Sequence, residues 1–517
     1  MLLVPPLVAL VLVHTTLALQ IPFLARDLPS PLSPTSHRPS DPSTASPQRH
    51  EDLSFTLRHA VHLSTADRTR PASRKDYNTA ELALLADASF RYPPSHTGLR
   101  SRRVQAQRPS SQAAFQAARR ASYFAPLRVQ QGRLPSPEEW EDEQLARTLE
   151  WEEIEVDAPD TRDAATLATL GKMTSNAYST PDQTGWYDLG DEGWNVTDSF
   201  GWKEDGLRGH VFADPMNKTV VVSLKGTSAF IVGGGSGTAK NDKINDNLLF
   251  SCCCARVDWS WSTVCDCYDG GYQCREDCVE HAVITKSAYY PVATNLFNNV
   301  SAIYPHSQIW LVGHSLGGGL AAMLSRTYGV PSVSFESPGD LLAARRLHLP
   351  LPPINNPNST HPPSHPPPER NIDDEITTHV FHTADPIPMG VCTGAISTCA
   401  IAGFALESRC HTGKTILYDT VGRLGWSVDV RTHPIHVVIE QLLKDDWGVK
   451  PKGLVKTARS WAGRSAQAWG WWPGKGKKGE GDDDGDDEDD GQNGGRGVPE
   501  PVFEDEDCVD CMRWSYT

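Results

Sequence analysis

The sequence predicts an α/β fold, a mostly parallel sheet covered by helices. Three observations carry that expectation. From about Arg162 onward, short apolar runs alternate with helix-like segments. The run Trp310–Leu320 holds G-x-S-x-G between an apolar stretch and an Ala/Leu-rich one, the order strand, tight turn, helix. An acid and then a histidine follow that serine at the ends of later elements, as the catalytic order on such sheets requires.

The elements follow in order. Leu53–Leu63 alternates enough for a strand, and Thr79–Phe90 and Ala113–Phe124 have helix-forming composition. The basic segment Arg100–Arg108 is expected to be solvated, and acidic Leu134–Glu155 to join this region to the core. Ala164–Tyr178 reads as a helix, Thr219–Leu224 as a buried strand and Ser287–Tyr304 as an amphipathic helix. Ile309–Val312, Ser332–Phe335 and Thr378–Thr383 are further strands, and Pro434–Leu443 a helix. Pro350–Glu369 reads as a surface insertion, because candidate site residues lie on both sides of it.

The ends differ in composition. The first charged residue is Arg26, and residues 1–20 form an apolar stretch long enough to span a bilayer. A signal-anchor and a cleaved signal both fit it; either sends the rest across a membrane. Residues 21–155 then form a lumenal stalk and N-terminal region, with Asp27–Gln48 rich in Pro and Ser. The catalytic domain is placed at 156–449, with the Pro-rich insertion at 350–369. Residues 450–517 are read as a basic, Trp-rich segment and a disordered acidic low-complexity tail. The net charge is −16, but 14 acids against one base lie between Glu480 and Asp507. The remainder is near neutral, which argues against a nucleic-acid partner.

Cysteine usage agrees with a lumenal address. Seven of the 12 cysteines lie between Cys252 and Cys278, and disulfides are the expected state in an oxidising compartment. That cluster lacks paired C-x2-C knuckles and interleaved His, so neither a metal nor a cofactor is expected. Cys508-Val-Asp-Cys511 reads as a structural bridge. Sequons at Asn195, Asn217, Asn299 and Asn358 are candidate glycosylation sites.

Ser315 is the candidate nucleophile. Its hydroxyl needs an imidazole to take its proton and a carboxylate to orient that imidazole. Among Asp340, Asp373, Asp374, Asp385, Asp419 and Asp429, Asp385 stands at a strand's carboxyl end before Pro386, where such sheets carry their sites. Among His379, His382, His411, His433 and His436, His433 is preferred because it occupies the loop before a helix, with His436 as the alternative. An oxyanion needs two backbone N–H donors. Leu316, after the nucleophile, supplies one, and Thr227 of Leu224-Lys225-Gly226-Thr227 the other.

Taken together, Val220–Thr227, Gly313–Gly318, Asp385-Pro386-Ile387-Pro388 and His433 resemble the class 3 (fungal triacylglycerol) lipases. The resemblance covers roughly Arg162–Leu443 and implies an α/β-hydrolase core. Asn241–Val257 with the cysteines that follow, Leu57-Arg58-His59 and Trp194–Trp202 are similar to the fungal vacuolar lipases that disintegrate autophagic bodies. That likeness implies a single-pass type II protein of Golgi, endosome, multivesicular body, prevacuolar compartment and vacuole, with its bulk lumenal. It implies a triacylglycerol lipase-type ester hydrolase with phospholipase activity, acting on membrane phospholipids, phosphoinositides among them, and on neutral glycerides. It names no protein partner. Residues 229–285 stand where simpler lipases carry a lid and are longer and Cys-rich, so they are expected to gate access to lipid. Lys225 stands where Arg is commoner. Two other readings compete: a lumenal membrane-binding protein without catalysis, which the Trp/Lys stretch motivates, and a soluble-ester esterase on the same core.

Overall fold

The computed structural model describes residues 56–64, 73–76, 99–179, 185–187, 189, 206–214, 216–227, 239–257, 262–352, 371–443, 497–504 and 508–517. The apolar start, the Thr79–Phe90 helix, the insertion at 353–370 and the basic and acidic stretch at 444–496 lie outside them. Among the described residues no helix is long and apolar enough to cross a membrane.

In chain order the strands are β1 (Thr56–Ser64), β2 (Ser73–Asp76), β3 (Ser101–Pro109), β4 (Trp151–Pro159), β5 (Gly206–Ala213), β6 (Thr219–Leu224), β7 (Tyr268–Gly270), β8 (Gln273–Cys274), β9 (Gln308–His314), β10 (Ser332–Phe335), β11 (Thr377–His382), β12 (Lys414–Tyr418), β13 (Val502–Phe503) and β14 (Ser515–Tyr516). Nine of them form one sheet in the order β13-β12-β11-β10-β9-β6-β5-β1-β2. The centre, β6-β9-β10-β11-β12, is parallel. The edges are antiparallel, β13 on one side and β5, β1 and β2 on the other. The sheet is therefore mixed rather than mostly parallel, because short connections such as 214–218 between β5 and β6 allow only a hairpin.

The central strands are apolar because both faces are covered. Period-2 alternation divides β9 between two cores. Ile309 and Leu311 face Val220, Leu320 and Phe250, while Trp310 and Val312 face Val221, Phe335 and Val438. The main helices are α1 (Gln112–Gln131), α2 (Pro137–Ala146), α3 (Ala164–Asn176), α4 (Ala239–Phe250), α5 (Glu276–Lys286), α6 (Tyr289–Ile303) and α7 (Leu316–Tyr328). In place of the expected helix Pro434–Leu443 stand one α-turn, Ile435–Val437, and a π-turn, Val438–Leu442.

Further expectations change. The basic segment Arg100–Arg108 is not a solvated link; it is β3, paired along its length with β4. Its arginines meet acids on that strand, Arg103 with Glu155 at 2.9 Å and Arg108 with Glu152 at 3.3 Å. The boundary expected between residues 155 and 156 thus falls inside β4. The chain's end is no free tail: β13 pairs with β12, and Cys508 and Cys511 bond to Cys410 and Cys252 instead of each other. The described part of the lid-like span is fastened down. Cys253–Cys274, Cys254–Cys265 and Cys267–Cys278 staple it, and Cys252, Cys253 and Cys254 are buried in the core. Every cysteine is in a disulfide, the sixth being Cys392–Cys399.

Candidate active site

Ser315 lies between β9 and α7 with φ 57° and ψ −129°, a conformation costly for a residue with a side chain. The turn is tight enough to demand glycine on both sides. A Cβ on Gly313 would lie 2.2 Å from the Gly317 carbonyl oxygen, and one on Gly317 would lie 2.3 Å from that of Leu224. A hydrogen bond from the Ser315 N–H to the Phe335 carbonyl, 3.0 Å, ties the turn to the end of β10. Leu316 opens α7, so its N–H is one of the donors a helix cannot use internally.

Asp385 follows β11 in a turn closed by its own N–H on the His382 carbonyl, 3.1 Å. Its two oxygens have separate tasks. Oδ1 accepts the Ile387 N–H at 3.0 Å, and Oδ2 meets His433 Nδ1 at 2.6 Å. The turn-forming role and the pairing role therefore support each other, because the first fixes the carboxylate for the second. Burial raises the Asp385 pKa. The charge and hydrogen bond of His433, with a hydrogen bond from Glu336, outweigh that and hold it below the usual carboxylate value. His433 uses Nδ1 on Asp385, which leaves Nε2 to take a proton. His436 is exposed on the turn beyond.

His314 connects the two sides of the site. Its ring lies 4.5 Å from that of His433, centroid to centroid. Nε2 donates to the His433 carbonyl at 2.9 Å; a carbonyl only accepts, so Nε2 carries the proton. Nδ1 then accepts from the Tyr178 hydroxyl at 2.8 Å, and that hydroxyl accepts from the Gly226 N–H at 3.1 Å. Burial first, then His433, push the His314 pKa down to about 3, so the ring stays neutral. The residue before the nucleophile thus joins the Lys225–Thr227 loop to the loop of the base.

Thr227 lies in the loop three residues beyond the end of β6, and its hydroxyl donates to Asp246 on α4. Asp246, Asp242 and Lys225 are buried together, with Lys225 Nζ 3.5 Å from Asp242. Burial pushes Asp246 up to about 8, with Asp242 adding to it and the Thr227 bond opposing.

The other candidates serve elsewhere. Asp340 accepts from Thr412 and lies 3.4 Å from His379. Asp373 pairs with Arg102 and Arg162, and Asp419 and Asp429 cap short turns. His382 bonds the Thr432 carbonyl at 3.2 Å, and His411 meets Glu504 at 3.2 Å. Asn217 and Asn299 are exposed; Asn195 and Asn358 lie outside the described residues. Sequence reasoning missed Glu336, which is fully buried, has φ 44° and is pushed above the usual carboxylate range by burial and by Asp385. Its signal was present: an acid directly at the carboxyl end of Ser332–Phe335.

The sequence pattern of the family Lipase (class 3) matches residues 245–330. A relative named as an ATG15 lipase from Cryptococcus neoformans var. neoformans serotype D (strain JEC21) is 50% identical over 403 residues, 74% of this chain and 73% of its own. Another of that name, from Mycosarcoma maydis, is 43% identical over 472 residues, 90% of this chain and 84% of its own. The chain belongs to the ATG15-type class 3 lipases. It is accordingly a lipase, an ester hydrolase with lipid substrates such as glycerides. The crystal structure of Lip2 lipase from Yarrowia lipolytica is 15% identical, covering 48% of this chain and 77% of its own, with a TM-score of 0.24. The α/β-hydrolase assignment rests on this chain's own strand order and nucleophile turn, not on that superposition.

Proposed function

We propose that Ser315, His433 and Asp385 form the catalytic triad of a serine lipase and phospholipase. The observation that carries this reading is the Asp385–His433 pair, whose histidine ring lies against the residue preceding Ser315. Ser315 Oγ attacks the ester carbonyl of a glycerolipid while His433 Nε2 takes the hydroxyl proton. Asp385 keeps Nδ1 protonated and stabilises the imidazolium. The Leu316 and Thr227 N–H groups receive the oxyanion, and the Thr227 bond to Asp246 supports this by fixing that loop. His433 then protonates the leaving alcohol, and water activated by the same nitrogen releases the fatty acid.

The physiological substrate in this reading is the membrane of autophagic bodies and multivesicular-body vesicles, lysed in the vacuole lumen. Six disulfides and exposed sequon residues Asn217 and Asn299 support a lumenal address. The apolar residues 1–20 would deliver and anchor the chain in that pathway. Ser315→Ala should abolish release of fatty acid from triolein emulsions and phosphatidylcholine vesicles, by more than about a thousandfold, and abolish labelling by a fluorophosphonate. Cells carrying only that variant should accumulate intact vesicles in the vacuole. Full lipid hydrolysis by Ser315→Ala would overturn the assignment.

A further inference from the structure

The chain between Asp385 and Glu407 is unusual for this protein. From Pro386 to Leu406, 21 residues carry no ionisable side chain apart from two disulfide-bonded cysteines, although 22% of the whole chain is charged. The segment begins at the acid of the triad, where the Val391 N–H bonds the Pro386 carbonyl at 2.9 Å. It ends against α4, the helix that carries Asp246. Asn247 there donates to the Gly403 carbonyl at 2.8 Å and accepts from the Ala405 N–H at 2.9 Å, and Lys243 donates to the Ala402 carbonyl at 2.7 Å. The loop therefore spans the same end of the sheet as Ser315, from the side of the acid to the side of the oxyanion loop.

Within it, the Cys392–Cys399 disulfide closes a small loop whose cysteines are buried. What that loop presents outward is apolar: Ile396 is 94% exposed, Ile401 71% and Val391 53%. Large aliphatic groups held out in water by a covalent staple forgo the free energy that burial of their surface would bring. A flexible chain could turn them inward; this one is fixed at both ends and across its neck. Charge would have to be stripped of water to enter a lipid interface, and the segment has none to strip.

We propose that the Val391–Ile401 loop is the lipid-docking element of this lipase. It inserts Ile396 and Ile401 into the boundary between headgroups and acyl chains and so seats the mouth of the site on the lipid surface. This rests on the reading that Ser315 is the nucleophile of a lipase. The occupant is a lipid surface because the enzyme's substrate is lipid, and a lipid aggregate must meet this end of the sheet to reach Ser315. The loop itself is no part of the reacting centre; it raises the local concentration of ester at the mouth.

The test compares the full chain on two substrates, triolein emulsion and monomeric p-nitrophenyl butyrate. Ile396→Asp/Ile401→Asp should lower emulsion hydrolysis by about tenfold or more, since two inserted aliphatic side chains are lost and two charges added. Hydrolysis of the monomeric ester should stay within about twofold, because both sites are exposed. Ile396→Trp should keep or raise emulsion activity, as an indole suits the interface. The proposal is overturned by unchanged emulsion activity in the Asp variant, by an equal fall on both substrates, or by a loss in the Trp variant like that in the Asp variant. A failure of the nucleophile assignment is distinct: Ser315→Ala would then still cleave the monomeric ester.

Discussion

Glu336 and Asp385 stand side by side in the interior, both fully buried, where two ionised carboxylates would repel each other with little water to screen them. Burial, with Asp385 beside it, pushes Glu336 well above the usual range, so Glu336 is the protonated partner. Its Oε2 accepts the His382 N–H at 3.4 Å, and its Oε1 lies 3.8 Å from His382 Nε2. A neutral Glu336 beside Asp385 is a candidate donor to it. Glu336→Gln keeps a donor of the same shape and should change kcat on a soluble ester by less than about threefold. Glu336→Leu removes the donor to a charged group and should lower kcat by about tenfold to a hundredfold with KM little changed. Equal kinetics for the two variants would show that the donor has no influence on Asp385.

The two histidines of His433-Pro-Ile-His436 separate cleanly. His433 is buried on Asp385, while His436 is exposed. His433→Ala should cost more than about a thousandfold in kcat, and His436→Ala less than about twofold. Asp385→Asn should lower kcat by about four orders of magnitude, because an amide no longer imposes the Nδ1–H form. Steady-state kinetics on p-nitrophenyl butyrate, with circular dichroism to confirm folding, reads all three. A loss in His436→Ala matching that in His433→Ala would remove the distinction.

Much of the core was legible because local and global signals coincide there. Thr219–Leu224 and Ser332–Phe335 are strands over the residues expected, since each is a short apolar run between turn signals. The Ser315 turn and the Asp385–His433 pairing were legible because such sheets carry an acid and then a histidine, in that order, at the ends of elements after the serine. Two of the misreadings have one physical source: pairing with a distant segment. Arg100–Arg108 looks like a solvated basic stretch until the acids of β4 lie opposite it. The last residues look like the end of an acidic run until Cys508 and Cys511 reach Cys410 and Cys252. Neither partner can be inferred from the segment itself. Glu336 was missed because the triad pattern calls for one carboxylate, whereas two buried carboxylates stand together here.

The acid beneath Thr227 should make stability depend on pH. Folded, Asp246 holds its proton up to about 8; unfolded, it loses it near its ordinary value of about 3.9. Between those values the native state binds the extra proton, so stability is greatest below the lower value and falls as pH rises toward the upper one. Glu336 acts in the same direction. Among the described residues, Thr227, Lys225, Asp242 and Tyr178 face Asp246. The melting temperature should therefore be higher at pH 5 than at pH 8. Asp246→Asn, uncharged throughout, should narrow that difference without abolishing it. An unchanged difference in the variant would place the pH dependence in other groups.

The closing segment 497–517 should be required for the stability of the catalytic domain. It supplies β13 to the sheet edge, β14 to β8, and Glu504 to buried His411. It also carries Trp514, packed into the core and bonded to Glu407 at 3.3 Å. Its two disulfides close very long loops, Cys252–Cys511 across 259 residues and Cys410–Cys508 across 98. Long loops are where a cross-link most restricts the unfolded chain, and loss of one such bridge costs about 2–5 kcal/mol. Cys511→Ser leaves Cys252 as a buried free thiol and should lower the melting temperature by several degrees; Cys508→Ser should do likewise at Cys410. Deleting residues 497–517 removes both bridges, the edge strand and Trp514 together, and should abolish recovery of folded protein. A deletion variant with the parent's melting temperature would show that the sheet closes without this segment.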